Sequence, residues 1–173
     1  MKIAIISSAS LTTTKESIAA VDIIIERLRQ ENSIRISTGG SLGVPGDIIK
    51  KAKLNGIYTT AYSPDEDVKS HNKRHDNLEL DYFDEVKHFN GFTLRSLKMI
   101  DDADCVLVLN GRMGTLSEFS IALEEGKRVG VITETGGIAD HLENITRLTQ
   151  KNFSNQVFFS SDPHEVIDYL VNN

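Results

Sequence analysis

Short runs of apolar, often β-branched residues alternate along the chain with segments in which apolar positions recur every three or four residues. The runs have the length of strands, and the intervening segments have the period of helices that bury one face. Most runs are apolar throughout, as in a parallel sheet that helices cover on both faces. Phe83–Phe89 is a candidate for a further extended segment. The predicted strands are Ile3–Ser7, Ile34–Ser37, Ile57–Tyr62, Cys105–Leu109, Val129–Thr133 and Val157–Ser160.

Helices are predicted between these strands. The sequence Asp162-Pro163 supplies an N-cap followed by a proline at the first helical position, and Pro45 is suited to another first turn. The connection Ser63–Phe89 is long, which indicates a functional or mobile loop. The alternation of strands and helices predicts one domain over residues 1–173, an α/β Rossmann-like three-layer fold with a mostly parallel sheet and helices on both faces. The predicted helices are Thr14–Gln30, Asp47–Leu54, Gly91–Asp102, Thr115–Glu125, Ile138–Gln150 and Pro163–Val171.

Composition excludes several classes of protein. No apolar run approaches the roughly 20 residues of a membrane helix, so we expect no membrane partner. The single cysteine, Cys105, lies in an apolar run typical of a core and suits a reducing cytoplasm. The net charge is −6 and the basic residues are scattered, so we expect no nucleic acid partner. The five histidines show no metal-ligand spacing, so we expect no metal.

Three loops that follow predicted strands are suited to binding an anion. The first is Ser7–Ser10, the second is the glycine-rich Thr38–Gly46, and the third is Asn110–Glu118. Glycine lets the backbone approach a ligand closely, and N–H groups at a helix beginning bind phosphate. The candidate ligand-binding residues in these loops are Ser8, Gly39, Gly40, Ser41, Gly43, Gly111, Arg112, Gly114 and Thr115.

Each feature also has a purely structural interpretation. The glycines of the second loop suit a tight turn between strand and helix. Thr115 and Glu118 form an S/T-x-x-E capping box, although this box lies at the carboxyl end of a strand, where open α/β sheets bind ligands. The basic cluster Lys69–His75 is either a solvated loop or a loop that folds over an anionic ligand.

Together, these segments resemble the LONELY GUY, or lysine-decarboxylase-like, family of Rossmann-like proteins. That family carries a G-G-G-x-x-G-x-M-G loop, an R-K-x-x-M segment and a P-G-G-x-G-T-x-x-E loop. The counterparts here are Thr38–Gly46, Arg95–Met99 and Asn110–Glu118, in the same order. The resemblance spans roughly residues 2 to 133.

The resemblance implies a nucleoside 5′-monophosphate phosphoribohydrolase, which releases a free base and ribose 5-phosphate. Glu118 would steady positive charge or activate water, and Arg95 would clamp phosphate or ribose oxygens. Backbone amides of the glycine loops would cradle the phosphate. Nothing marks a lysine for pyridoxal phosphate, so we expect no cofactor and no lysine decarboxylase activity. The resemblance also implies a homo-oligomer, a dimer or tetramer.

The sequence departs from the family pattern in the loops themselves. Asn110 replaces a proline and Arg112 replaces a glycine, while Thr38 and Pro45 replace a glycine and a methionine. These variants are similar to a branch of molybdenum-cofactor-carrier proteins. Two functions therefore remain open: hydrolysis of nucleoside monophosphates, or non-catalytic carriage or sensing of a nucleotide or molybdenum-cofactor ligand.

Overall fold

The structure is a computed structural model that describes residues 1–9, 14–74 and 76–172. Within these ranges, seven parallel strands form one sheet in the order β4-β3-β2-β1-β5-β6-β7. The predicted Rossmann-like fold with a parallel sheet is confirmed, and the candidate segment Phe83–Phe89 contains the edge strand β4. The strands are β1 Lys2–Ile6, β2 Arg35–Thr38, β3 Tyr58–Ser63, β4 Glu85–His88, β5 Cys105–Leu109, β6 Arg128–Ile132 and β7 Val157–Ser160.

The described ranges contain seven α-helices, six of them between consecutive strands and the seventh after β7. None of these helices is long and apolar enough to cross a bilayer. The long connection Ser63–Phe89, predicted as a functional or mobile loop with a candidate extended segment near its end, contains a helix, a short 3-10 turn and β4. The predicted helix Ile138–Gln150 divides into a 3-10 turn over Gly137–His141 and a shorter α-helix. The α-helices are α1 Lys15–Leu28, α2 Val44–Leu54, α3 Val68–Lys73, α4 Phe92–Asp101, α5 Met113–Glu124, α6 Leu142–Leu148 and α7 Pro163–Val171.

Helices cover both faces of the sheet, as predicted. Buried residues of α1, α2 and α7 pack with one set of strand side chains, whereas those of α4, α5 and α6 pack with the alternate set. In β1, for example, Ile3 and Ile5 belong to the first cluster, and Ala4 and Ile6 belong to the second. This alternation explains why the central strands are apolar throughout, since each face of the sheet needs apolar side chains.

The order of the strands places a switch point between β1 and β5. From β1 the chain adds β2, β3 and β4 on one side, then returns to pair β5 with the other side of β1. The helix after β1 packs on one face and the helix after β5 on the opposite face. The two connections therefore diverge, and a crevice opens above the carboxyl ends of these strands, where open α/β sheets bind ligands.

The buried position of Cys105 leads to a chemical prediction. Cys105 begins the central strand β5 and is fully buried, and this burial raises the pKa of its thiol to about 11. Because the thiolate is the reactive form, the folded protein at pH 8 should react with an aromatic disulfide reagent about 100-fold more slowly than the unfolded chain. Thiol release followed by absorbance, with and without urea, measures this ratio. Equal rates would contradict a core position for Cys105.

Candidate functional site

A cleft of about 330 Å³ lies at the carboxyl ends of the strands around the switch point. Its walls come from the segments that follow β1, β2, β3 and β5, together with the first turns of α4. All three loops singled out in the sequence reach it, through Ser8, through Gly39 and Ser41, and through Arg112, Gly114 and Thr115. Segments that are far apart in the chain thus meet at one site, while Ser10 of the first loop lies outside the described residues.

Arg95 and Glu118 form an ion pair in the wall of this cleft. Nη1 of Arg95 donates to Oε1 of Glu118 at 2.5 Å, and the two side chains are only 11% and 8% exposed. The hydroxyl of Ser96 donates to the same carboxylate oxygen at 2.8 Å. Helix α4 supplies the two donors and α5 supplies the carboxylate. The pair fixes the orientation of Glu118, because a buried carboxylate is stable only with such partners.

The guanidinium of Arg95 lies directly against the backbone of the second loop. A Cβ atom added to Gly39 would be 2.7 Å from Nη1 of Arg95, which is closer than non-bonded atoms approach. Glycine is therefore needed at this position so that the arginine can lie flat against the loop. The sequence predicted a close approach of the backbone here, and the structure shows that the approaching group is this side chain.

Glu118 is not a capping residue, so the predicted capping box was wrong. Helix α5 begins at Met113, two residues earlier than predicted, and Thr115 is its third residue. The Thr115 hydroxyl accepts a hydrogen bond from the backbone N–H of Arg112 at 3.4 Å. Glu118 lies further along the helix and turns toward α4. Its position is therefore explained by its ion pair in the cleft.

Three helices begin near the cleft without a side-chain cap. The residues that precede α2, α4 and α5 are Gly43, Gly91 and Arg112, and none of them accepts a hydrogen bond from its helix through a side chain. In contrast, side-chain oxygens cap α1, α3 and α7. The first N–H groups of a helix have no acceptor within the helix. At α5, where Gly114 and Thr115 line the cleft, these first N–H groups are free to bind an anion.

Arg112 is the cation that is most available to a ligand. It is exposed and lines the cleft, and no carboxylate of the described residues pairs with it. Arg74 also lines the cleft, but its Nη2 lies 3.3 Å from a carboxylate oxygen of Asp76. Arg95 is already bound to Glu118. A negatively charged group entering the cleft would therefore meet Arg112 without first breaking an ion pair.

Three of the predicted glycines do not form part of the cleft wall. Among the described residues that line it, Gly40, Gly43 and Gly111 are absent. The N–H of Gly111 donates to the side chain of Asn110 at 2.6 Å, and its carbonyl accepts from Ile138 at 2.9 Å. The N–H of Gly40 likewise donates to the hydroxyl of Thr38 at 3.3 Å. The amides of Gly40 and Gly111 are therefore engaged within the protein rather than free for a phosphate, whereas the role of the Gly43 amide stays a prediction; all three glycines have positive φ.

Sequence reasoning assigned no site role to Ser96 or Phe92, and it named Arg74 only as part of a basic cluster that either is solvated or folds over an anionic ligand. Ser96 follows Arg95 in the recognised motif, but its contact with Glu118 depends on the packing of α4 against α5. Arg74 belongs to the basic cluster Lys69–His75, of which His75 lies outside the described residues. Phe92 begins α4 and lines the cleft, and its apolar character alone gave no signal.

A sequence model of the SLOG cluster4 family matches residues 1–167. The chain belongs to this family. The resemblance to Rossmann-like proteins of the LONELY GUY type is thereby confirmed. No curated protein sequence matches the chain significantly.

Solved structures of other proteins share the fold. The protein TM1055 superposes with a TM-score of 0.80 at 19% identity, with 99% of each chain covered. The molybdenum cofactor binding protein of the phototrophic bacterium Rippkaea orientalis gives 0.77 at 20% identity, over 99% of this chain and 95% of that one. DNA processing protein A of Helicobacter pylori gives 0.65 at 21% identity, over 99% and 80%. At these identities the likeness shows a common architecture.

The exclusion of a nucleic acid partner was wrong. The H. pylori protein, which has the same architecture, binds single-stranded DNA. The exclusion relied on a net charge of −6, but net charge does not describe how charges are distributed. In the described part of this chain, three arginines (Arg74, Arg95 and Arg112) and only two carboxylates (Asp76 and Glu118) line one cleft. A negative net charge of the whole chain is therefore compatible with a site in which positive charges predominate.

Proposed function

We propose that this protein binds a nucleotide or a similar phosphorylated small molecule in the cleft, with the phosphate at the beginning of α5. The observation that carries this proposal is the exposed guanidinium of Arg112 beside the uncapped amides of Gly114 and Thr115. A helix beginning favours negative charge through its dipole and its free N–H groups. An arginine adds charge-assisted hydrogen bonds to phosphate oxygens.

The Arg95–Glu118 pair supports a second candidate, the hydrolysis of nucleoside 5′-monophosphates. In this reaction the bond from C1′ to the base breaks, water adds at C1′, and the base leaves with the bonding electrons and gains a proton. Oε1 of Glu118 is held by Arg95 and Ser96, while Oε2 accepts no hydrogen bond from the described residues. That oxygen can accept a proton from water or steady positive charge on the sugar. Arg95 would then position the carboxylate.

Replacement of Arg112 tests the binding site. Arg112→Ala should weaken AMP binding about tenfold or more, since a hydrogen bond to a charged group contributes about 1.5–3 kcal/mol. Arg147→Ala is the matched control, because Arg147 is an exposed arginine on α6 outside the cleft and should bind AMP like the unmodified protein. Isothermal titration measures both variants. Equal affinity of the two variants would exclude the beginning of α5 as the phosphate site.

A ligand screen separates the candidate functions. Thermal shift with AMP, GMP, ribose 5-phosphate, a molybdopterin ligand and a single-stranded oligonucleotide shows which one stabilises the folded state. Chromatography of the AMP and GMP samples then detects free base. Base release that Glu118→Gln abolishes supports hydrolysis, whereas stabilisation without release supports a carrier or sensor. A melting temperature unchanged by every ligand would contradict the proposal as a whole.

A further inference from the structure

Phe92 is an exposed aromatic side chain at the rim of the cleft. It is the first residue of α4, it lines the cleft, and 54% of its surface is accessible to solvent. Met99 of α4 and Phe119 of α5 are buried, whereas Phe92 is not. The exposure of Phe92 therefore leaves a flat apolar surface available at the rim of the cleft.

Two guanidinium groups hold the ring of Phe92 in place. The Cζ of Arg74 lies 4.9 Å from the ring centroid, and the Cζ of Arg95 lies 5.7 Å from it. Each arginine is fixed from elsewhere, Arg74 by Asp76 and Arg95 by Glu118. Both guanidinium groups lie over the ring, and the attraction between a cation and the ring face restrains it. The residue is still 54% exposed, so the two cations do not cover the whole ring. A restrained ring loses little entropy when a second ring stacks on it.

We infer that Phe92 is the stacking platform for a planar aromatic group of the ligand. This inference rests on the proposed binding of a phosphorylated molecule in the same cleft. The phosphate would lie at α5 beside Arg112, and the aromatic group would lie on Phe92, which lines the same cleft from α4. The cleft volume of about 330 Å³ falls in the range of small-molecule sites. The ligand class is therefore a phosphorylated aromatic heterocycle, a purine nucleotide or a pterin, rather than a sugar phosphate.

The experiment compares AMP with ribose 5-phosphate, which has the same phosphate and sugar without the base. Stacking of a base on an aromatic side chain is sequence-tolerant and substantial, so Phe92→Ala should weaken AMP binding about tenfold. The same variant should bind ribose 5-phosphate within about twofold of the unmodified protein. Phe92→Leu keeps an apolar side chain at the rim but removes the ring, and it should also weaken the binding of AMP without weakening that of ribose 5-phosphate. Titrations use a Glu118→Gln background if base release is detected.

The outcomes separate this inference from the proposed function. Leu94→Ala is the control, because Leu94 is an exposed apolar residue of α4 that does not line the cleft in the described structure. Equal loss of AMP and ribose 5-phosphate affinity in Phe92→Ala and Phe92→Leu, or no loss in either, would overturn the stacking platform and leave the phosphate site standing. If the unmodified protein binds neither ligand, the proposed function and the platform both fail.

Discussion

Replacing Arg95 with methionine should lower the free energy of unfolding by about 3–5 kcal/mol. The change keeps most of the aliphatic stem but leaves the Glu118 carboxylate, which is 8% exposed, with only the Ser96 hydroxyl as a partner. An unpaired buried charge costs far more than the pair contributes, because the carboxylate has already lost its water. Proteins of this size have a stability of about 5–15 kcal/mol, so the loss would be a large part of the total. Urea denaturation measures it.

A double variant separates the ion pair from general disruption of the cleft. Arg95→Met combined with Glu118→Gln removes both charges, and the amide oxygen that takes the place of the carboxylate can still accept from Ser96. We expect this protein to recover a large part of the stability lost in Arg95→Met, with a coupling of about 1 kcal/mol or more. A double variant that is less stable than Arg95→Met by the full effect of Glu118→Gln alone would show that the two side chains are not coupled.

The second large effect is expected at Gly137, which follows β6. Its φ is +66°, and a Cβ atom added there would lie 2.3 Å from the carbonyl oxygen of Gly111. The obstructing atom belongs to the backbone and accepts a hydrogen bond from Ile138 at 2.9 Å, so neither side can move without breaking that bond. Gly137→Ala should therefore destabilise the protein and displace the loop that carries Arg112.

Gly126→Ala is the matched control for this substitution. Gly126 has a φ of +69°, and no atom lies within 4 Å of a Cβ atom added to it. Its replacement should cost about 1 kcal/mol, the penalty for a left-handed residue with a side chain. Gly137→Ala should cost at least about 2 kcal/mol more, because it adds a steric clash to the same penalty. Thermal or urea unfolding compares the two, and similar losses would contradict the close contact between the loops after β5 and β6.

The sequence predicts the central strands of the fold, because apolar runs of strand length are compatible with few structures other than a buried strand. Cys105–Leu109 is apolar throughout, as a strand buried on both faces must be. The edge strand Glu85–His88 was less evident, since alternating polar residues let it resemble a loop. Helix α3, over Val68–Lys73, is short and polar, and only its Asp67 cap distinguishes it. Short, polar elements of this kind depend on tertiary contacts for their stability, so the local sequence predicts them poorly.

The candidate site could likewise be predicted only in part from the sequence. Arg95 and Glu118 were predicted from spacing within a motif, and the structure brings their side chains into contact. The glycines were harder to interpret, because a glycine indicates backbone freedom without showing which way its N–H points. Gly39 thus makes room for an arginine, and the N–H of Gly111 bonds to Asn110. Contacts such as that of Phe92 with Arg74 depend on packing between distant segments.

The central claim is that one phosphorylated ligand lies between the beginning of α5 and the rim of α4. A crystal structure of the protein with AMP tests it most directly. The account predicts phosphate oxygens within hydrogen-bond distance of Arg112 and of the amides of Gly114 and Thr115, with the base against Phe92. A nucleotide bound at another place, such as the pocket lined by Lys2, Arg35 and Lys87, would contradict it.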